Sequence, residues 1–273
     1  MINILVTCCG SSRAISIANA LKFDKRNKVI GSDCDPLSPG QFHVDEFKIV
    51  QEYSDTATYW EGMKRLVKVS EIDFIFVTSE EELFGWSKFT YFGGATIIQN
   101  HREIVELTID KKGAWMQMKG ALADQKDIEA YVPEPLTENI DEGFRTIRGT
   151  EYAIDIIGDG VDNAIYVVPK KILVAVCGVV LKSITVRDKR LVDFGRMVAE
   201  IFGNRSTMSV KCVVEYGTDR LYFIHVKSIW STDLALTVKS GINMPQMMVS
   251  TVEKTSYNSD VVMIRHFAEY FLE

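Results

Sequence analysis

No stretch of this chain approaches the roughly 18 apolar residues that a membrane-spanning helix needs. The longest apolar-rich run, residues 172–181, contains Gly178 and is bracketed by lysines. No membrane partner is therefore expected. Positive charge is not in excess either. The formal net charge is -6, so no nucleic-acid partner held by bulk electrostatics is expected, although a local basic pocket stays open. Cysteine is sparse. The five residues Cys8, Cys9, Cys34, Cys177 and Cys212 include no CxxC pair, and there are only four histidines. That argues against a disulfide framework and a structural zinc site, and it fits a reducing, cytoplasmic setting. Each cysteine is expected to act as a small buried hydrophobe. The N-terminal MINILVTCCG lacks the basic start and long apolar region of a secretory leader and reads as a first buried strand. Glycine is scarce where a dinucleotide fingerprint would need it, because the first strand-to-helix loop holds only Gly10.

What is present is an ordinary globular balance, 47% apolar and 25% charged, over 273 residues, enough for one large domain or two smaller ones. Short apolar runs at 2–7, 28–32, 46–50, 73–78 and 96–98 alternate with helical segments near 12–23, 56–69 and 81–91. Tyr59, Met63 and Val67 give the second of these helices an apolar stripe. Strands alternating with helices predict a doubly wound parallel sheet over residues 1–100. From 101 to 273 the pattern changes. One or two helices over 102–123 precede strand runs at 151–157, 163–169 and 171–179, a helix at 188–202, a strand pair around 209–226 and a helical turn at 234–240. That is an α+β arrangement. The tail, 259–273, is open between strand and helix. Trp86, Tyr91 and Trp230 are candidate interface aromatics, though such residues more often sit in the core.

The ordered pieces resemble the ATP-grasp superfamily, and within it the small proteins similar to half of the carbamoyl-phosphate synthase large subunit. The first-half matches are residues 3–7 (NILVT) with Gly10 and Arg13, 29–36 (VIGSDCDP), 44–47 (VDEF), Val77-Thr78 with Glu82-Leu83, and Asp110-Lys111. The second-half matches are 149–155 (GTEYAID), 168–171 (VPKK), 182–186 (KSITV) and the Gly241–Pro245 close. The resemblance implies a Rossmann-like pre-ATP-grasp domain (1–100) with a parallel sheet, followed by a truncated α+β ATP-grasp-like domain (101–273). It also exposes two departures. Between Lys111 and Gly149 the family places a nucleotide-clamping lobe with a glycine-rich loop, and this interval is too short for it and has no such loop. The family's metal-binding strand pair ends in Glu-x-Asn-x-Arg, whereas this chain has His225-Val226-Lys227-Ser228-Ile229, with Lys211 upstream in place of a glutamine or glutamate. Lysine supplies no oxygen ligand and repels magnesium.

Candidate ligand-binding residues follow. Gly10, Ser11 and Arg13 lie in the first strand-to-helix loop, at the ligand-binding edge of a parallel sheet and at a helix N-terminus. The resemblance implies that Lys111 approaches a nucleotide, that Glu151 and Asp155 are the acidic groups of the cleft, and that Lys171 lies on a substrate-facing strand. Lys211, His225 and Lys227 occupy the former metal positions. The two lysines have three open fates: binding an anion, pairing with Glu151 or Asp155, or facing solvent. For His225 the sequence supplies no partner, so a structural strand position is expected rather than a general base. Asp33 and Asp35 are expected to shape a turn, and Glu80, Glu81 and Glu82 to favour a helix N-terminus. The expected function is a non-catalytic protein that binds a small anion or serves as a partner subunit or homo-oligomer, with no metal and no cofactor. One alternative is an ATP-dependent carboxylate–amine ligase using ATP and magnesium. Another is a metal-free reaction in the remodelled cleft.

Overall fold

The computed structural model describes residues 1–124, 129–136, 143–158, 164–250, 255–266 and 268–271. The first hundred residues form β1 (Ile2–Val6), α1 (Ser12–Leu21), β2 (Asn27–Asp33), β3 (Glu46–Ile49), α2 (Thr56–Val69), β4 (Phe74–Phe76), α3 (Glu80–Trp86), β5 (Tyr91–Phe92) and β6 (Ala95–Ile98). Their sheet runs β3-β2-β1-β4-β6-β5, parallel throughout except for the short β5. Strands buried on both faces need near-continuous apolar sequence, and Ile4, Leu5, Val6, Val29, Ile30, Ile75 and Phe76 supply it. The helices start where short polar side chains can accept from free amides. Ser11 Oγ accepts from Ala14 N, and Ser79 Oγ from Glu81 N.

Two helices, α4 (Arg102–Ile109) and α5 (Lys111–Asp124), lead to β7 (Ala130–Tyr131). Then come β8 (Gly149–Gly158), β9 (Ala164–Val176), β10 (Val179–Thr185), α6 (Lys189–Phe202), β11 (Thr207–Glu215), β12 (Leu221–Lys227), α7 (Leu234–Lys239), α8 (Met244–Val249) and β13 (Val262–Ile264). These strands build a second sheet, β13-β10-β9-β8-β11-β12-β7, antiparallel apart from the β12–β7 pair. The tail therefore contributes an edge strand, antiparallel to β10. The tight β9–β10 turn places Cys177 (φ 48°) and Gly178 (φ 77°) in the left-handed region, which matches the right-handed twist of the flanking strands.

Side chains alternate across a strand. One face of the second sheet packs Ile154, Ile156, Val210 and Cys212 against Leu191, Phe194 and Val198 of α6 and Met118 of α5. On the opposite face, Ile157 and Val168 join Trp230, Leu234 and Met244 in a cluster with Ile4, Val6, Ala14 and Ile17 of the first unit. Each such side chain contributes about 1.5–3 kcal/mol on burial, so the two sheets are held together by apolar packing at one end. The other end of that face is left for polar residues.

Several local expectations change. Trp86 and Trp230 are fully buried, and only Tyr91 is exposed among the three aromatics. Cys9 and Cys212 are buried hydrophobes as expected, but Cys34 and Cys177 are exposed. Cys34 follows the end of β2 and Cys177 sits at a hairpin tip, and neither place lies under a packed layer. The interval that the resemblance would fill with a clamping lobe lies partly outside the described residues (125–128 and 137–142). Its described part holds the helix α5, then β7 and a Pro135–Phe144 bridge.

Candidate functional site

The ladder register decides which residues share the polar face. In the β8–β11 pair, Asp155 lies opposite Ser209 and Ala153 opposite Lys211, with Glu151 two residues further along. In the β8–β9 pair, Ala153 lies opposite Lys170. Between β11 and β12 a register shift leaves Ile224 as the extra residue and sets His225 directly opposite Lys211. One face therefore carries Glu151, Asp155, Lys170, Lys211, His225 and Lys227. Lys171 is opposite Tyr152 in the ladder, on the other face from Lys170.

This face looks toward α1, α3 and the start of α5 and leaves a cleft made of three adjoining cavities. The outer one, about 600 Å³, is lined by Glu151, Lys171, Lys211 and the aliphatic β9–β10 hairpin. A middle one of about 190 Å³ includes Arg13, Lys211, His225, Lys227 and Asp233. An inner one of about 200 Å³ includes Glu80, Lys111, His225 and Lys227. Arg13, Lys111, Lys211 and Lys227 thus face Glu80, Glu151 and a buried Asp233, and Lys171 borders only the outer cavity.

The cations are partly paired. Lys211 Nζ lies 2.7 Å from Glu151 Oε2. Lys227 Nζ donates to both oxygens of Glu80 at 2.8 Å, and Arg13 Nη2 to Oε1 at 2.8 Å. Burial would raise the Glu80 carboxyl, but Lys227 and Arg13 outweigh it and hold it below the ordinary range. Lys111 is exposed at the start of α5 and makes no ion pair with any described residue. His225 is pushed down to about 4 by burial first and then by Lys227, Lys211 and Lys111. Its Nδ1 is buried and has no partner among the described residues.

Behind the cleft lies a group that the sequence alone did not single out. Lys170 is fully buried and donates to Asp155 Oδ2 (2.7 Å), Asp233 Oδ1 (2.6 Å) and Ser231 Oγ (3.1 Å). Thr237 Oγ1 donates to Asp155 Oδ2 (2.5 Å) and Ser183 Oγ to Asp233 Oδ2 (3.0 Å). Burial alone would depress the Lys170 ammonium, but Asp155 and Asp233 outweigh it and hold it above its ordinary value. Asp155 is therefore a buried partner of Lys170, only 2% exposed, rather than an open acidic group of the cleft.

Arg13, Lys111, Glu151, Lys171, Lys211, His225 and Lys227 all line the cleft. Gly10 and Ser11 do not. The Gly10 N–H is taken by Asp33 Oδ2 at 2.9 Å, and Ser11 caps α1. Asp33 also accepts from Ser38 Oγ and from Asp35 N, so its turn-shaping role is explicit. Glu82 departs from a simple role at the helix start. It is 4% exposed, accepts from Tyr59 Oη at 2.8 Å, and burial raises its carboxyl.

Magnesium requires hard oxygen ligands. The two carboxylates at the cleft surface are bound to Lys211, Lys227 and Arg13, and Asp155 and Asp233 are tied to Lys170. Among the described residues no three His, Cys, Asp or Glu side chains are grouped to hold a metal. The donor set does not fit a magnesium ion.

No family profile and no curated protein sequence matches the chain. Solved structures do. The biotin carboxylase subunit of pyruvate carboxylase aligns over 96% of this chain and 74% of its own, at TM-score 0.70 and 13% identity. The biotin carboxylase domain of a thermophilic 2-oxoglutarate carboxylase, bound to bicarbonate, aligns over 96% and 73%, at TM-score 0.72 and 13% identity. The complete multifunctional pyruvate carboxylase from Rhizobium etli aligns over 91% of this chain but only 27% of its own, at TM-score 0.67 and 17% identity. The chain thus spans about a quarter of that enzyme's length. At these identities the likeness establishes the fold: this chain has the α/β architecture of those biotin carboxylase structures, across most of its own length.

Proposed function

We propose that the protein binds a small anion in the lysine-lined cleft without a divalent metal, as a non-catalytic, lobe-lacking relative of the ATP-grasp enzymes. The observation that carries this reading is the cross-strand array of Lys211, His225 and Lys227, with Lys111 and Arg13 facing it. Cations outnumber carboxylates there although the chain as a whole carries a charge of -6. A concave site lined by one sign of charge focuses potential and draws in the opposite charge. Magnesium normally neutralises phosphate oxygens in phosphoryl transfer. Here fixed ammonium groups stand in its place, and they stabilise a bound anion without presenting a second reactant.

Calorimetric titration with inorganic pyrophosphate in EDTA tests this. Binding is expected, and the double variant Lys211→Met, Lys227→Met should weaken it at least tenfold. No detectable binding at millimolar pyrophosphate would overturn the proposal. The likeness to carboxylase domains, one solved as a β-γ-ATP complex from Campylobacter jejuni, favours a second reading, an ATP-dependent carboxylate–amine ligase. Its signature is ATP affinity that requires magnesium, together with ADP release in the presence of a carboxylate and an amine.

A further inference from the structure

The cleft places a neutral imidazole at the centre of a ring of fixed charge, and this sets a thermodynamic link between anion and proton. His225 forms a wall shared by the middle and inner cavities. The groups around it come from several surrounding elements: Lys211 from β11, Lys227 from its own strand, Lys111 from α5, Arg13 from α1 and Glu80 from α3, with Glu151 of β8 reaching the cleft through its pair with Lys211. Asp233, beyond β12, is bound to Lys170. Glu80 and Glu151 pair with Lys227 and Lys211 and screen part of their charge, while Lys111 makes no ion pair with any described residue, so a positive excess remains around the imidazole. The buried Nδ1 has no hydrogen-bond partner among the described residues, so the ring has an unused polar atom. Resting on the anion-binding reading above, we propose that the cleft is a proton-coupled anion site: a dianion seated among Lys111, Lys211 and Lys227 is bound together with one proton, which His225 takes up.

The physical basis is reciprocity. Burial and three lysines disfavour the charged imidazole in the empty cleft. An anion against the same lysines cancels their repulsion and adds attraction, so the proton's affinity for His225 rises. Whatever factor the anion adds to proton binding, the proton adds to anion binding. If the bound anion restores His225 to its ordinary 6.5 from about 4, affinity should be about tenfold higher at pH 5.5 than at pH 8. Between these limits the ordinary carboxylates remain ionised, so the slope belongs to the histidine.

Sulfate is the probe, because it stays a dianion throughout this range, whereas phosphate titrates within it. Wild-type protein is titrated with sodium sulfate by calorimetry at pH 5.5, 6.5 and 8, at pH 6 in two buffers of different ionisation enthalpy, and followed by NMR of the histidine ring protons. The expected result is tighter binding at low pH, net proton uptake on binding at pH 6, and a His225 titration that moves upward with sulfate. His225→Gln should abolish the slope, and the wild-type NMR shift tests the link even if that variant folds poorly. Sulfate binding with a flat pH profile and no proton uptake would overturn the coupling and leave the anion site standing. No sulfate binding at any pH would overturn both.

Discussion

Replacing Lys170 by methionine isolates the buried ionic group that supports the cleft. The ammonium is fully buried, and its three protons are matched by Asp155, Asp233 and Ser231 at 2.6–3.1 Å. Methionine keeps most of the volume but leaves two carboxylates facing each other in a water-poor setting. Breaking a buried pair in this way costs roughly 3–5 kcal/mol, because the remaining charges lose their partner. At about 2–4 °C per kcal/mol for a chain approaching this size, the melting temperature should fall by roughly 6–20 °C. The pH dependence gives the mechanism away. In the wild type Lys170 is held above its ordinary value. Its contribution is therefore fully present below the unfolded lysine range and is lost only as pH rises through the still higher folded value. In Lys170→Met the stranded carboxylates should titrate above their unfolded range. That variant should then regain stability on acidification, where the wild type gains nothing from Lys170. The triple variant Asp155→Asn, Lys170→Met, Asp233→Asn removes every charge and should recover most of the loss. Urea unfolding at pH 5.5 and pH 8 measures all of this. A loss below about 1 kcal/mol at pH 8, or a loss equal at both pH values, would refute the reasoning.

Glu80→Gln removes the carboxylate that competes for Lys227 and Arg13, so pyrophosphate affinity should rise several-fold; unchanged or weaker binding in the same titration would show that Glu80 organises the site instead. Glu82→Gln keeps an acceptor for Tyr59 while removing a buried ionisable group that burial raises. A raised carboxyl costs stability as pH climbs through its folded value, so the variant should gain on the wild type at pH 8 and not at pH 4. Thermal melts at the two pH values check this, and a gain independent of pH would contradict it.

Much of the first sheet was legible because its strands are short β-rich runs between turn and helix signals, as at residues 2–7 and 28–32. The polar positions were legible too, since Lys211 interrupts one apolar strand and His225 and Lys227 interrupt the next at two-residue spacing. The choice between Lys170 and Lys171 was not. Adjacent residues point to opposite faces, and only the pairing of Ala153 with Lys170 fixes which one turns inward. A signal did exist: Glu151 and Asp155 set the parity of β8, but the register that carries it to β9 is a tertiary fact. Asp233 and Ser231 lie in a segment after β12 with no periodicity to betray them. Glu80 reads as a helix-start residue, and its partner Lys227 lies 147 positions away.

The proposed site uses fixed lysines in place of a metal. Pyrophosphate titrated into the protein in EDTA, and again with excess magnesium, tests this most directly. Binding in EDTA that magnesium fails to strengthen is the predicted result. Binding that appears only with magnesium, or tightens tenfold or more on its addition, would contradict it.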